Sequence, residues 1–81
     1  MIINKTKQFK KSFIKLNNKI QEKFFKKIEN FKINPFSPEL RNHKLKWEFN
    51  WYRSINITLD YRAIFRELSN WSYEFVEFVD I

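Results

Sequence analysis

Residues 52–65 read Tyr-Arg-Ser-Ile-Asn-Ile-Thr-Leu-Asp-Tyr-Arg-Ala-Ile-Phe, and this stretch decides the fold. Apolar and polar residues alternate up to Leu59, and a second alternating run begins after Asp60. A two-residue period is typical of a strand with one buried face. Two β-branched and aromatic runs around a short polar break predict an antiparallel hairpin. Arg53 and Arg62 lie inside these strands, where a side chain is held in place, and this suits a site that binds phosphate.

Two helices are predicted before the hairpin. The first begins at about Lys7, and the second has Asn18 as its N-cap and Gln21 in the position that a capping box requires. The apolar stripe of the first helix is Phe9, Phe13 and Leu16, with Ile14 beside them. That of the second helix is Ile20, Phe24, Ile28 and Phe31, and Phe25 widens it. Pro35 and Pro38 end the second helix. The short break at Asn17-Asn18 therefore predicts a helical hairpin.

The remaining segments complete a single α+β domain that spans residues 1–81. Residues 39–46 form a polar connector, and Tyr73 to Ile81 is a third alternating strand with Tyr73, Phe75, Val79 and Ile81 on one face. Residues 1–4 are a candidate fourth strand at an edge. The predicted architecture is an N-terminal helical hairpin packed on one face of a small antiparallel β-sheet.

Composition limits the class of protein. The chain has no Cys and contains ten Phe, three Tyr and three Trp, so aromatic residues must supply most of the core. Residues 1–33 hold ten Lys and two Glu, which favours a polyanionic partner, either nucleic acid or an acidic protein. A solvated lysine-rich helical surface explains that charge equally well. The polar start and the lack of a long apolar run predict a cytoplasmic protein with no membrane segment.

A family resemblance is carried by three runs. They are Asn-Pro-Phe-Ser-Pro-Glu-Leu-Arg-Asn-His-Lys-Leu at 34–45, Tyr-Arg-Ser-Ile-Asn-Ile at 52–57 and Asp-Tyr-Arg-Ala-Ile-Phe at 60–65. The chain resembles the RelE/ParE toxin superfamily of type II toxin–antitoxin modules, and within it the YafQ- and YoeB-like mRNA interferases. The resemblance implies a cytoplasmic endonuclease that cuts mRNA, usually on the ribosome, and is silenced by a cognate antitoxin protein.

The resemblance also assigns roles to residues. His43 falls at the position of a functional His or Glu that could take the proton of the ribose 2′-OH, and Arg62 at that of a catalytic Arg that braces the phosphate. Asp60 and Tyr61 match an Asp-aromatic pair of the YafQ-like branch, which makes Asp60 a third catalytic candidate, whereas Asn56 replaces a second His. The residues expected to hold RNA are Arg41, Lys44, Lys46, Arg53 and Tyr61. With one His, no Cys and scattered acidic residues, we expect no metal and no cofactor.

Each of these residues also has a purely structural interpretation. His43 could be an ordinary exposed residue, and Asp60 could only shape its turn. Arg53 and Arg62 could form ion pairs across the sheet with Glu48, Glu67 or Glu74. Two functional alternatives also stay open: a binder without catalysis, such as a ParE-like gyrase inhibitor or a toxin that only binds its antitoxin, and a plain RNA-binding domain.

Two departures from the superfamily pattern lead to further expectations. The family's last strand continues into a His and a terminal aromatic residue, and without that tail we expect cleavage to be lost or strongly impaired. The chain has no Gly, and Trp47, Trp51 and Trp71 stand where the family favours Gly. The hairpin turn at Asn70-Trp71 then needs a positive φ, which is costly for Trp. One hypothesis is that UGA codons for glycine are being translated as tryptophan.

Overall fold

The structure is a computed structural model that describes residues 1–45 and 51–80. The chain folds in the order β1 (Ile2–Lys5), α1 (Lys7–Lys15), α2 (Asn18–Ile33), β2 (His43–Lys44), β3 (Arg53–Asn56), β4 (Tyr61–Ser69) and β5 (Ser72–Asp80). A 3-10 turn at Pro38–Leu40 follows α2. The predicted α+β architecture is confirmed, with the two helices packed on one face of the sheet.

The helical hairpin is confirmed, but its capping differs from the prediction. Asn17, not Asn18, is the N-cap of α2, and its Oδ1 accepts from the backbone N–H of Ile20 at 3.0 Å. Gln21 does not complete a capping box: its Nε2 donates to the carbonyls of Phe13 and Leu16 at 2.9 and 3.2 Å. These carbonyls lie at the end of α1, where the helix itself supplies no donor. Gln21 therefore caps the end of the first helix rather than the start of the second.

Neither helix of the described part is long and apolar enough to cross a membrane.

The sheet is larger and more varied than predicted. Its strand order is β1-β5-β4-β3-β2, and all neighbours are antiparallel except β1 and β5, which run parallel. The candidate edge strand at residues 1–4 is confirmed as β1. A fifth strand, β2, lies inside the segment predicted to be a connector, where His43 pairs with Ser54 and Lys44 with Arg53. This places the single His on a strand at the edge of the sheet.

The core is built from aromatic rings on the helix-covered face. Phe31 of α2 meets Phe65 of β4 with ring centroids 5.0 Å apart, and Phe9 of α1 meets Phe78 of β5 at 4.5 Å. The prediction that Val79 lies on the core face is wrong. Ile64 pairs with Glu77 and Phe65 with Phe75, so Val76 is an extra residue in β5. Such a bulge reverses the alternation, and Phe78 takes the core position instead.

The turn between β4 and β5 has the backbone conformation that the sequence predicted. Trp71 has φ 64°, in the left-handed region that favours Gly. The prediction of a positive φ at this Trp is confirmed. Trp51 is described and exposed, whereas Trp47 lies outside the described residues. Whether these positions are encoded by UGA stays a hypothesis.

Candidate catalytic site

Two of the three residues predicted to be catalytic, His43 and Arg62, meet on the uncovered face of the sheet. β4 lies between β3 and β5 in the sheet. Its residues Ala63 and Phe65 point into the core, so Arg62, which directly precedes Ala63, points to the opposite face. Ser54 and His43 pair with each other on the neighbouring strands. Strand register alone thus gathers an arginine, a serine and a histidine, and their side chains are in contact.

The Arg62 side chain is fixed at both ends of its guanidinium. Its Nε donates to Ser54 Oγ at 2.9 Å, and its Nη2 donates to the backbone carbonyl of Arg41 at 3.3 Å. Ser54 is 1% exposed, so its hydroxyl depends on this partner rather than on water. The arginine therefore has a defined position, which a flexible surface cation lacks.

The guanidinium of Arg62 also lies against the imidazole of His43. Nη2 is 3.0 Å from Nδ1 and 3.2 Å from Nε2 of the ring. The lone-pair directions of the two ring nitrogens diverge, so one atom cannot lie in line with both. The nearly equal distances indicate that Nη2 lies over the face of the imidazole. The arginine thus leaves the in-plane positions of both nitrogens to other partners.

One of those in-plane positions has a partner that sets the protonation of the ring. His43 Nδ1 is 2.9 Å from the carbonyl oxygen of Arg41. A carbonyl can only accept, so Nδ1 carries the proton. In the neutral imidazole, Nε2 then holds the free lone pair. Because His43 is exposed, this nitrogen is accessible from solvent and can take a proton from a substrate.

The Arg41 carbonyl receives both contacts because of an unusual backbone conformation. Arg41 follows the 3-10 turn at φ 49° and ψ 48°, the left-handed region. Leu40 before it is fully buried and anchors the turn in the core. The left-handed residue turns the chain and directs its carbonyl toward His43 and Arg62. Backbone strain of this kind is often found at functional sites.

The positive charge of Arg62 has no carboxylate beside it among the described residues. Burial lowers the pKa of the Arg62 guanidinium, and the charge of Arg41 lowers it further. An arginine starts so far above neutrality that the group stays protonated. The ion pairs expected with Glu67 or Glu74 do not form: Glu74 binds Arg66 instead, with Nε and Oε1 2.9 Å apart. Glu48 lies outside the described residues.

Arg53 and Lys44 lie on the other side of the sheet. Arg53 pairs with Phe65, which points into the core, and its Cα partner in β2 is Lys44. Its Nε donates to Asn42 Oδ1 at 2.7 Å, and its guanidinium carbon lies 5.1 Å from the ring centroid of Phe36. Two of the predicted RNA-binding residues, Arg53 and Lys44, thus lie on the face opposite to His43 and Arg62. Lys46 lies outside the described residues.

Asp60 and Tyr61 are not part of the His43 cluster. Asp60 is exposed in the β3–β4 turn, in a shallow cleft shared with Lys19 and Lys23 of α2, and Tyr61 packs against the core. The backbone N–H groups of both residues donate to Thr58 Oγ1 at 3.1 Å. The Thr58 hydroxyl thus shapes this turn, and the catalytic role of Asp60 stays a prediction.

Several residues of the site were missed by the sequence analysis. Ser54 carried a usable signal, because it shares the polar parity of the strand that faces Arg62. No sequence signal indicated the roles of Asn42 and of the Arg41 carbonyl, since they depend on a turn and an edge strand that the alternation of apolar and polar residues did not predict. In residues 1–45 and 51–80, no group of three or more His, Asp or Glu could hold a metal ion. The expected independence of metal stays a prediction.

No protein-family profile and no curated protein sequence matches the chain. Solved structures do match it. A YoeB/ParE toxin from Agrobacterium tumefaciens has a TM-score of 0.82 at 22% identity, covering 100% of this chain and 99% of that one. YafQ from E. coli has a TM-score of 0.71 at 24% identity, covering 96% and 90%.

A third similar structure is a heterotetrameric YoeB–YefM toxin–antitoxin complex from Staphylococcus aureus. It matches with a TM-score of 0.79 at 14% identity, covering 100% of this chain and 95% of that one. The similarity extends over both helices and the whole described sheet, so the resemblance seen in the sequence is confirmed at the level of the fold. The chain has the fold of the RelE/ParE toxins, with YoeB and YafQ among its structural neighbours.

Proposed function

We propose that the chain is the toxin of a type II toxin–antitoxin pair and that it cleaves mRNA. One observation carries this proposal: a histidine with one ring nitrogen held by a carbonyl lies against an arginine that no described carboxylate neutralises. Such a pair offers a base and a fixed positive charge next to each other. A ribose 2′-OH needs these two groups to attack the adjacent phosphate.

In the proposed reaction, Nε2 of His43 takes the proton of the 2′-OH. The 2′-oxygen then bonds to the phosphorus, the bond from phosphorus to O5′ breaks, and O5′ takes a proton from water, while His43 releases the proton it has accepted to solvent. The products are a 2′,3′-cyclic phosphate and a 5′-hydroxyl. Arg62 stabilises the negative charge that grows on the phosphate oxygens, and Ser54 and the Arg41 carbonyl keep the guanidinium in place for this task.

The partner of this toxin is proposed to be a cognate antitoxin with an acidic segment. The similar Staphylococcus aureus protein was solved in a toxin–antitoxin complex. In this chain, ten Lys and two Glu in residues 1–33 give the helical hairpin a strong positive charge. An acidic segment would be attracted to that surface. Co-purification of the product of the neighbouring gene with the chain tests this proposal, and failure to co-purify counts against it.

The test of catalysis uses protein made from the gene up to its natural stop codon in a cell-free system. Cleavage of an mRNA is followed with and without translation, which also measures ribosome dependence. His43→Ala should reduce cleavage at least about a hundredfold, the lower end of what a general base contributes. Leu59→Ala is the matched control, because Leu59 is 94% exposed and outside the cluster. A single 2′-deoxynucleotide at the cut site should abolish cleavage there.

Two outcomes would contradict the nuclease proposal. Cleavage that is the same in His43→Ala and in the unchanged protein would remove His43 from the mechanism. Inhibition of DNA gyrase supercoiling without any RNA cleavage would instead identify the chain as a ParE-like toxin. Both assays can be run with one protein preparation.

A further inference from the structure

A second, unassigned feature lies at the β2 edge of the sheet. Phe36 is 60% exposed, although it belongs to a chain that places most of its Phe residues in the core. The guanidinium of Arg53 lies over the ring at 5.1 Å from its centroid. A flat aromatic ring that is backed by a cation and otherwise open to solvent is suited to stack on another flat ring.

The position of this ring is fixed by a closed set of contacts. The backbone N–H of Phe36 donates to Asn34 Oδ1 at 3.0 Å, and the preceding Pro35 is buried. The Pro35 carbonyl accepts from Asn42 Nδ2 at 2.8 Å, and Asn42 Oδ1 accepts from Arg53 Nε at 2.7 Å. The ring, the arginine and the start of β2 are thereby joined into one rigid unit. A preorganised surface loses little entropy when a ligand binds.

The unit is next to the candidate catalytic site along the chain. Asn42 directly precedes His43, and Arg53 directly precedes Ser54, which holds Arg62. β2 is the last strand in the sheet order of the described residues, and we place the RNA strand around this edge. A phosphate bound at His43 and Arg62 on one face then brings a neighbouring nucleotide to the other face, where Phe36 lies.

The charge at the unit suits a nucleotide. Arg53 uses its Nε for Asn42, and no carboxylate of the described residues lies within ion-pair distance of it. Its remaining N–H groups can donate to a phosphate, while the Phe36 ring accepts the base. From these contacts we infer that Phe36 and Arg53 form a nucleobase-stacking platform that holds an RNA nucleotide adjacent to the scissile phosphate. This inference rests on the proposed function and adds a positioning residue, Phe36, to it.

The test measures binding and cleavage separately. Binding uses a 2′-O-methyl RNA oligonucleotide, which lacks the attacking hydroxyl and cannot be cut, with 2-aminopurine as the reporter of stacking. Phe36→Leu should weaken binding about tenfold, which corresponds to about 1.4 kcal/mol and lies within the range for base–aromatic stacking. It should also remove the quenching of 2-aminopurine. Phe36→Trp should restore both signals, because it restores an aromatic face.

Phe25→Leu is the matched control. Phe25 is also a half-exposed Phe, at 53%, but it lies on α2 against Phe13 and Phe24. It should leave binding and quenching unchanged, and thermal unfolding of all variants shows whether they are folded. Binding by Phe36→Leu equal to that of the unchanged protein would overturn the platform and leave the nuclease proposal intact. Binding that depends on Phe36, without cleavage of ordinary RNA, would overturn the nuclease proposal and keep the platform.

Discussion

Two arginines on the same face of β4 have opposite surroundings. Arg66 has Glu74 as its cross-strand partner and forms an ion pair with it, whereas Arg62 has Val79 in the corresponding position. Arg62 is instead held by a hydroxyl, a carbonyl and the face of an imidazole. None of the three is a carboxylate, so they position the charge without cancelling it. An arginine that is tightly held but not neutralised is available to a phosphate.

This comparison explains why sequence position alone could not separate structural from functional arginines. Arg62 and Arg66 have the same parity in one alternating run, and both have acidic residues within reach by simple counting. The difference lies in the β5 residues opposite them, which are Glu74 for Arg66 and Val79 for Arg62. We expect the following changes to test how far the difference in partners determines the difference in role.

The largest expected effect is the loss of Arg62 itself. Arg62→Ala should reduce RNA cleavage about a hundredfold to a thousandfold, the range for removing one donor to a charge that develops in the transition state. Arg66→Ala removes an equal charge from the same strand and face and should leave cleavage within about twofold, since salt screens an exposed charge that contacts no substrate. Single-turnover cleavage of one RNA by both variants is the measurement. Equal losses in the two variants would mean that net charge, not the Arg62 site, determines activity.

A second change gives Arg62 the surroundings of Arg66. Val79→Glu places a carboxylate at the cross-strand position of Arg62, as Glu74 is placed for Arg66. We expect cleavage to fall about tenfold to a hundredfold, because the carboxylate competes with the phosphate for the guanidinium and repels it. Val79→Gln has a similar shape without the charge and should keep most of the activity. If the two variants cleave equally well, a neutral environment is not what makes Arg62 functional.

A smaller effect is expected when the support of Arg62 is removed but its charge is kept. Ser54→Ala deletes the hydroxyl that accepts from Nε. A hydrogen bond to a charged group contributes about 1.5–3 kcal/mol, and because the other contacts of the guanidinium remain we expect only the lower end of that range, a fall in cleavage of about tenfold. The fall should appear in the rate of the chemical step rather than in RNA binding, because the charge remains. A variant with full activity would show that the substrate alone can position the guanidinium.

The sequence could predict the elements but not the contacts that depend on irregular backbone. Alternation and helical spacing located β3, β4 and both helices, because a period in the sequence directly reflects which face is buried. The N-cap is Asn17 rather than Asn18, and Gln21 binds the end of α1, because the break between the helices is too short to separate the end of one from the start of the other. Val79 was assigned to the wrong face because the sequence pattern does not show that β5 contains one extra residue.

For the candidate site too, the sequence predicted the main residues but not the contacts that depend on backbone conformation. His43 and Arg62 were found through residue type and family resemblance, and the structure brings them together. Asp60 was grouped with them through the same resemblance, yet it lies in a turn beside α2. The left-handed Arg41, whose carbonyl joins the cluster, is visible only in the structure, since arginine has no preference for that conformation.

The turn that joins β4 to β5 offers a test of backbone strain at Trp71. Trp71 has φ 64°, and a residue with a Cβ loses about 1–2 kcal/mol in the left-handed region. Trp71→Gly should therefore raise the free energy of unfolding by about 1 kcal/mol, reduced by whatever packing the indole provides. Trp71→Ala is the control, because it removes the indole and keeps the Cβ. Urea unfolding of the three proteins separates the two contributions, and a Gly variant no more stable than the Ala variant would contradict strain at this residue.

The smallest expected effect concerns the stability that Arg66 itself provides. Its pair with Glu74 is partly exposed, and cross-strand pairs of this kind contribute about 0.2–1 kcal/mol. Arg66→Ala should lower the free energy of unfolding by that amount, and the loss should shrink at high salt. Arg62→Ala should show no such salt dependence, because neutral groups hold its guanidinium. Salt-dependent unfolding of both variants thus separates an arginine that stabilises the sheet from one that the sheet positions. A similar salt dependence in both would mean that a carboxylate neutralises Arg62 in solution, which would weaken the case for it as the phosphate-binding group.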